Sequence, residues 1–244
     1  MRYFLHLSYR GSAYSGWQIQ DNAVSVQGEI EKALAALLNG GRSRVEIVGC
    51  GRTDAGVHAK SYVAHFDWSE PLDTALACHK LNALLPADIA IASIEPVDEA
   101  MHARFSARER CYRYFLHFGK DPFLQDSSWL CRWSLDIGLM NRAASALLGE
   151  QDFSSFEKLH GNSSSSVCTV TKAEFVPCGD GMYFEIRANR FLRNMVRSIV
   201  GTLVDIGRGH LKLENFGAII AAHNRCAASQ SAPARGLFLW EIEY

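Results

Sequence analysis

The stretch VEIVGCGRTDAGVHAKSYVAHFDW, Val45 to Trp68, places a turn with three glycines between two runs of strand character. The first run predicts a strand over about residues 44–49. In the second, Tyr62, Ala64 and Phe66 alternate against Val63 and His65, which predicts a strand over about 61–67. Working outward, Val26, Ile30, Ala33, Leu34 and Leu37 share one face of a helix over about 26–38, opened by Ser25 and closed by Asn39-Gly40-Gly41. Before that helix, Tyr3, Leu5, Leu7 and Tyr9 alternate against Phe4, His6 and Ser8 in a strand over about 2–9. On the other side Asp73 can cap a helix over about 74–85, stopped by Pro86, and DIAIASIEPV supplies a fourth strand. The central hairpin thus turns the order into βαββαβ.

The second half repeats that order with larger insertions. It reads as a strand at about 110–118, a helix at about 135–149, strands at about 169–177 and 181–188 joined by CGDG, helices at about 191–207 and 213–223, and a strand at about 236–243. No residue-level repeat relates the halves, so the duplication is architectural. The fold expected is α+β: two ferredoxin-like βαββαβ units with antiparallel sheets, residues 1–103 and 104–244, with a catalytic cleft between them. The polar segment HGNSSSSV, residues 160–167, reads as a mobile loop.

Composition is that of a soluble globular chain: 244 residues, 48% hydrophobic and 21% charged. Seven cysteines at irregular spacings, with no C-x-x-C pair, suggest neither a disulfide framework nor a zinc site, and a reducing cytoplasm is the expected compartment. The N-terminus lacks the apolar block of a signal peptide, and no segment is apolar enough to span a bilayer. A net charge of −1 argues only weakly against a nucleic-acid partner, because a binding face depends on where the cations lie. They cluster: Arg104, Arg108, Arg110 and Arg113 in one stretch, Arg187, Arg190, Arg193 and Arg197 in another.

The glycine turn, GCGRTDAGVHA, could be a plain connection with Asp54 bonded to local backbone. It is not a phosphate loop. Val57 stands where a Walker motif requires Lys, and Asp54 occupies the third glycine of a dinucleotide fingerprint, where a carboxylate would repel a pyrophosphate. What remains is a carboxylate raised on a turn, next to Thr53 and Arg52, with glycines that permit positive φ and close approach of a planar ligand. No H-E-x-x-H, paired-Asp protease motif or serine elbow accompanies it.

The loop resembles that of the TruA-type tRNA pseudouridine(38-40) synthase family. The resemblance extends through GWQIQ at Gly16, SVQGEIEKAL, LNALLPADIAI, ARFSARERCYRYF, LLGEQDFSSF, NRFLRNMVRSIVGTLVDIGRG and the terminal APARGLFLWEIEY. It implies an enzyme that isomerises uridine to pseudouridine at positions 38, 39 and 40 of the tRNA anticodon arm, without metal or organic cofactor, as a cytoplasmic homodimer. The family's essential aspartate falls on Asp54, as nucleophile or as the base that starts elimination from the ribose. Its basic partner falls on Arg197, a cation that would keep the carboxylate ionised. Its active-site tyrosine falls on Tyr112, which could stack on the flipped uracil, although Tyr114 shares that strand face. Arg52 is expected to enter the RNA stack and help extrude the base. His58 either shapes the turn or touches RNA.

Arg110 and Arg193 are candidate RNA contacts, with Lys60, Arg104, Arg108 and Arg113 beside them. If residues 191–207 are helical, Arg190, Arg193 and Arg197 form a basic stripe that invites an anion. Arg10 stands where relatives often carry an acid, and Cys50 where many carry a small residue; neither removes a proposed catalytic group. Two other classes compete: a noncatalytic tRNA-binding module, which could dispense with Asp54 and Tyr112, and a small-molecule enzyme, which would not need the arginines.

Overall fold

The computed structural model describes residues 1–159 and 165–244. The chain divides into two compact units, Met1–Arg108 together with Leu239–Tyr244, and Glu109–Phe238. Both mix helix and strand.

The first unit runs β1 (Arg2–Tyr9), α1 (Val26–Asn39), β2 (Val48–Gly49), β3 (His58–Asp67), α2 (Thr74–Leu84) and β4 (Ile89–Val97). Its strands pair antiparallel in the order β4-β1-β3, and β2 adds a short pairing to β3, Val48 opposite His65. The helix ends follow the local chemistry expected. Ser25 Oγ accepts from Gly28 N at 3.2 Å, Gly40 closes α1 at φ 66°, and Asp73 Oδ1 accepts from Leu76 N at 3.0 Å at the head of α2.

The strand expected over 44–49 is reduced to β2. Val45 and Ile47 are buried, but the ladder positions at Ile47 are taken by side chains of α1: Ile47 N donates to Glu31 Oε1 at 3.0 Å, and Gln27 Nε2 donates to Ile47 O at 3.0 Å. A backbone already satisfied by side chains needs no neighbouring strand. Strand β3 in turn begins earlier than expected, at His58. Alternation in β1 predicted one buried face, and both are covered. Phe4 packs with Val63 and Ala103, with Ile242 from the last strand and with Tyr244 just after it, which is why the C-terminus belongs to this unit.

The second unit contains β5 (Glu109–His117), β6 (Trp129–Leu130), α3 (Ile137–Ser145), β7 (Gly149–Asp152), β8 (Val167–Cys178), β9 (Gly181–Ala188), α4 (Met195–Gly207), α5 (Glu214–Ala221) and the start of β10 (Leu237–Glu243). The order β5-β9-β8-β7 is antiparallel throughout, and α3 packs on α4 and β8. Two expectations are corrected. Helix α3 stops at Ser145, and the chain turns through Gly149 at φ 91° into β7, a strand the sequence reading lacks. Helix α4 begins at Met195, not near 191, because Asn194 adopts φ 66° and its Nδ2 donates to Ser231 Oγ at 2.7 Å. Asparagine tolerates this left-handed geometry where most residues do not. Of the segment expected as a loop over 160–167, residues 160–164 lie outside the described residues, and β8 starts at Val167.

Two buried titratable groups tie stability to pH in separate windows. His65, 4% exposed, accepts from Ala103 N at Nδ1 (3.1 Å), and burial, with Arg2 and His102 nearby, lowers its pKa from 6.5 to about 4. The unfolded chain therefore binds the extra proton first, and stability falls as pH drops from about 6.5 toward 4. At about 1.4 kcal/mol per pKa unit the loss over the whole window is on the order of 3 kcal/mol. Glu185 has the opposite sign of shift. Burial alone would raise its pKa, but hydrogen bonds from Lys172, Arg113 and Arg187 outweigh that and lower it. Its contribution persists above the unfolded carboxylate value and disappears only in stronger acid. Urea midpoints at pH 7 and 4.5 test the first window: wild type is expected to lose stability between them, and His65→Gln to lose markedly less.

Candidate active site

The turn that carries Asp54 is held from beneath by aromatic side chains. After β2, Cys50 N still donates to Val63 O at 2.9 Å, and Gly51 O accepts from the Tyr62 hydroxyl. Thr53 is buried, with its carbonyl accepting from Trp17 N at 3.2 Å and its Oγ1 2.8 Å from the Tyr9 hydroxyl. The Trp17 and Tyr62 rings stack at 4.0 Å, and Tyr9 tilts against both. Asp54 is half-buried and opens a tight turn in which Val57 N donates to Asp54 O at 3.1 Å. Gly56, at φ 76°, supplies the positive φ at the turn's third position. Gly56 N also donates to Tyr14 O at 3.3 Å.

The three glycines of the turn therefore serve different ends. At Gly49 a Cβ would lie 2.1 Å from the Tyr62 hydroxyl and 2.7 Å from Trp17, so that position is fixed by packing, whereas a Cβ on Gly51 would meet nothing within 4 Å. Of these two, the open Gly51 fits the expectation that glycine leaves room for a ligand. The support under Thr53 yields a prediction. Tyr9→Phe leaves a buried threonine hydroxyl short of its partner and is expected to cost about 1–3 kcal/mol in urea unfolding. Adding Thr53→Val removes the orphaned group and should recover part of the loss.

Each candidate residue has a definite setting. Arg52 and Lys60 are exposed. His58 is fully buried, its Nδ1 accepting from Gly11 N at 3.1 Å. A side chain without surface cannot touch RNA, so of the two roles expected for His58 its surroundings permit the shaping of the turn. Arg10 is exposed just after β1, and Cys50 is buried.

In the second unit Tyr112 is half-buried on β5, edge-on to Phe191, with ring centroids 4.9 Å apart at 83°. Tyr114 is fully buried. Its hydroxyl donates to Pro233 O at 2.8 Å, and burial pushes its pKa far above the usual phenol value. That ring has no access to a ligand, which leaves Tyr112 as the tyrosine able to meet one. Arg197 lies in the first turn of α4, where its Nε donates to Ala232 O at 2.8 Å and its carbonyl accepts from Ala232 N at 2.9 Å.

The expected stripe of Arg190, Arg193 and Arg197 does not form, since the first two precede the helix. Arg193 is exposed in the turn before it, its carbonyl accepting from Lys158 N at 2.9 Å. Arg110 donates to Asn189 O at 2.8 Å. Arg113, expected beside these as a phosphate contact, is engaged within the fold: it bonds buried Glu185 at 2.7 Å and lies over the Tyr183 ring at 4.5 Å, on the strand face opposite Tyr112. The aromatic support of the turn, and Phe191 beside Tyr112, were not anticipated. GWQ, with a tryptophan after a glycine, was the visible signal for the first.

Residues 7–106 and 143–244 match the family model described as tRNA pseudouridine synthase. The whole chain aligns with curated proteins named tRNA pseudouridine synthase A. It is 48% identical over 244 residues to that of Parabacteroides distasonis, covering 96% of that protein. It is 47% identical over 246 residues to that of Bacteroides thetaiotaomicron, covering 90% of it, and 38% identical over 246 residues to that of Bacillus subtilis, covering 99% of it.

Proposed function

Because the chain belongs to the tRNA pseudouridine synthase family, an isomerase family, we propose that it converts uridine to pseudouridine at positions 38, 39 and 40 of the tRNA anticodon stem-loop, with Asp54 as its reacting carboxylate. The observation that carries this reading is the setting of Asp54: a half-buried acid at the head of a turn whose backbone is bonded on both sides by Trp17, Tyr62 and Tyr14. Such a group is presented without freedom to drift, as a reaction at a sugar carbon requires.

The chemistry consumes nothing. The C1′–N1 bond breaks, the uracil turns, a C5–C1′ bond forms, and the proton displaced from C5 is balanced by one gained at N1. Asp54 either bonds C1′ during this exchange or removes a ribose proton to start elimination. Tyr112 would stack on the extruded uracil, and Arg197 would supply positive charge to the reaction. Arg52, Arg110 and Arg193 would contact RNA, with binding that weakens as salt rises. The strand orders β4-β1-β3 with β2 beyond, and β5-β9-β8, support a ferredoxin-like reading of both units.

We read the enzyme as a cytoplasmic homodimer. Light scattering should then return twice the 27.1 kDa of one chain. Activity is tested by release of tritium from tRNA labelled at uridine C5. Release should occur from tRNA with uridine at 38, 39 or 40 and cease when all three are replaced by cytidine. Undiminished release from the replaced tRNA would defeat the assignment of position.

A further inference from the structure

Phe105 is the most exposed large apolar side chain of the first unit, at 76%. Its turn is nevertheless locked. Ser106 N donates to His102 O at 2.9 Å, His102 N donates to Ser106 Oγ at 2.9 Å, and His102 Nδ1 accepts from both Arg104 N (3.1 Å) and Phe105 N (3.3 Å). His102 also backs the ring, with centroids 4.4 Å apart at 36°, and is itself seated edge-on against buried His65 at 4.7 Å. The Arg104 guanidinium lies 5.5 Å from the centre of the Phe105 ring. Phe123 is more exposed, at 91%, yet has neither a ring nor a cation beside it among the described residues. Exposure alone is therefore not what distinguishes Phe105. A rigidly held, largely exposed ring with a guanidinium over it at 5.5 Å is.

A ring of this kind offers a flat apolar face within a positive field, the combination that takes a nucleobase on the ring and a phosphate on the cation. A protein partner, or a second copy of the chain, would call for apolar area around the ring; the neighbours are instead Arg104, Ser106 and Arg108, with both arginines exposed. We propose that Phe105 is a stacking platform for an unpaired base of the RNA substrate, with Arg104 on the adjoining phosphate. The base must be unpaired or at a helix end, because only there is a face free. This assignment rests on the tRNA reading above and adds a contact surface to it.

Fluorescence anisotropy with a synthetic anticodon stem-loop RNA tests it. Phe105→Ala is expected to raise Kd roughly tenfold or more, with unchanged melting temperature because the ring is solvent-facing. Phe105→Trp should restore binding, and Phe105→Leu, apolar but without a π face, should not. Phe105→Ala should leave the slope of log K against log salt as it is, whereas Arg104→Gln should reduce it by about one. Unchanged Kd in Phe105→Ala, full binding by Phe105→Leu, or a halved particle mass in Phe105→Ala would each overturn the platform. Failure of the wild type itself to bind the stem-loop more tightly than an unrelated hairpin would instead overturn the tRNA reading beneath it.

Discussion

Asp54→Asn is expected to lower the single-turnover rate of tritium release by at least about 10⁴-fold while the Kd for tRNA stays within about threefold of wild type. Asparagine keeps the size of the side chain and removes its negative charge, so it separates reaction from shape. The backbone bonds of the turn do not pass through the carboxylate: the Asp54 carbonyl accepts from Val57 N, and the neighbouring anchors at Gly51 and Thr53 are untouched. Asp54→Glu is the informative companion. It restores the charge but carries the carboxylate a methylene farther on a turn fixed by Trp17, Tyr62 and Tyr14. Displacement of about 1 Å at a reacting centre is worth about 10²-fold, so activity should remain at least that far below wild type. Release by Asp54→Asn within tenfold of wild type would remove Asp54 from the chemistry, whatever the family.

What could be read from the sequence was mostly what depends on near neighbours along the chain. Ser25, Gly40 and Asp73 announce helix ends because a cap needs only a short-range geometry, and all three act as such. Residues 45–47 carry the same apolar alternation as a strand, yet Gln27 and Glu31, sixteen or more positions upstream, take over the backbone bonds at Ile47. Nothing local could reveal that. The start of α4 failed for another reason: FLRN continues a helical apolar period, but Asn194 can leave it for positive φ, and the bond to Ser231 makes that choice.

Individual arginines divide along the same line. A motif could place Arg197, but no pattern could tell that Arg113 is held by Glu185, 72 residues later, while Arg52 is left in water. His58, four residues after Asp54, accepts from Gly11 N inside the core. Proximity in the chain allowed contact with RNA there, and burial excludes contact with a ligand.

The second large effect is expected at Arg197. Arg197→Met should lower kcat by about 10²- to 10³-fold, the scale on which removing one preorganised donor acts, with a smaller change in KM. Its position is electrostatically adverse. It sits in the first turn of α4, whose N-terminal end is the positive end of the helix dipole, and that turn contains no acid. A cation there costs about 0.3–1 kcal/mol in isolation. Two bonds to Ala232 nevertheless fix it, one from the side chain at Nε and one to the carbonyl.

Lysine cannot reproduce this, because one ammonium must serve both Ala232 O and whatever anion the fork serves, so Arg197→Lys should recover less than tenfold of the loss. A purely structural arginine would instead lower the melting temperature by losing the Ala232 bond, worth about 1 kcal/mol, and leave the kcat of the folded enzyme in place. A kcat within threefold of wild type would reduce Arg197 to a clamp on the Ala232 segment.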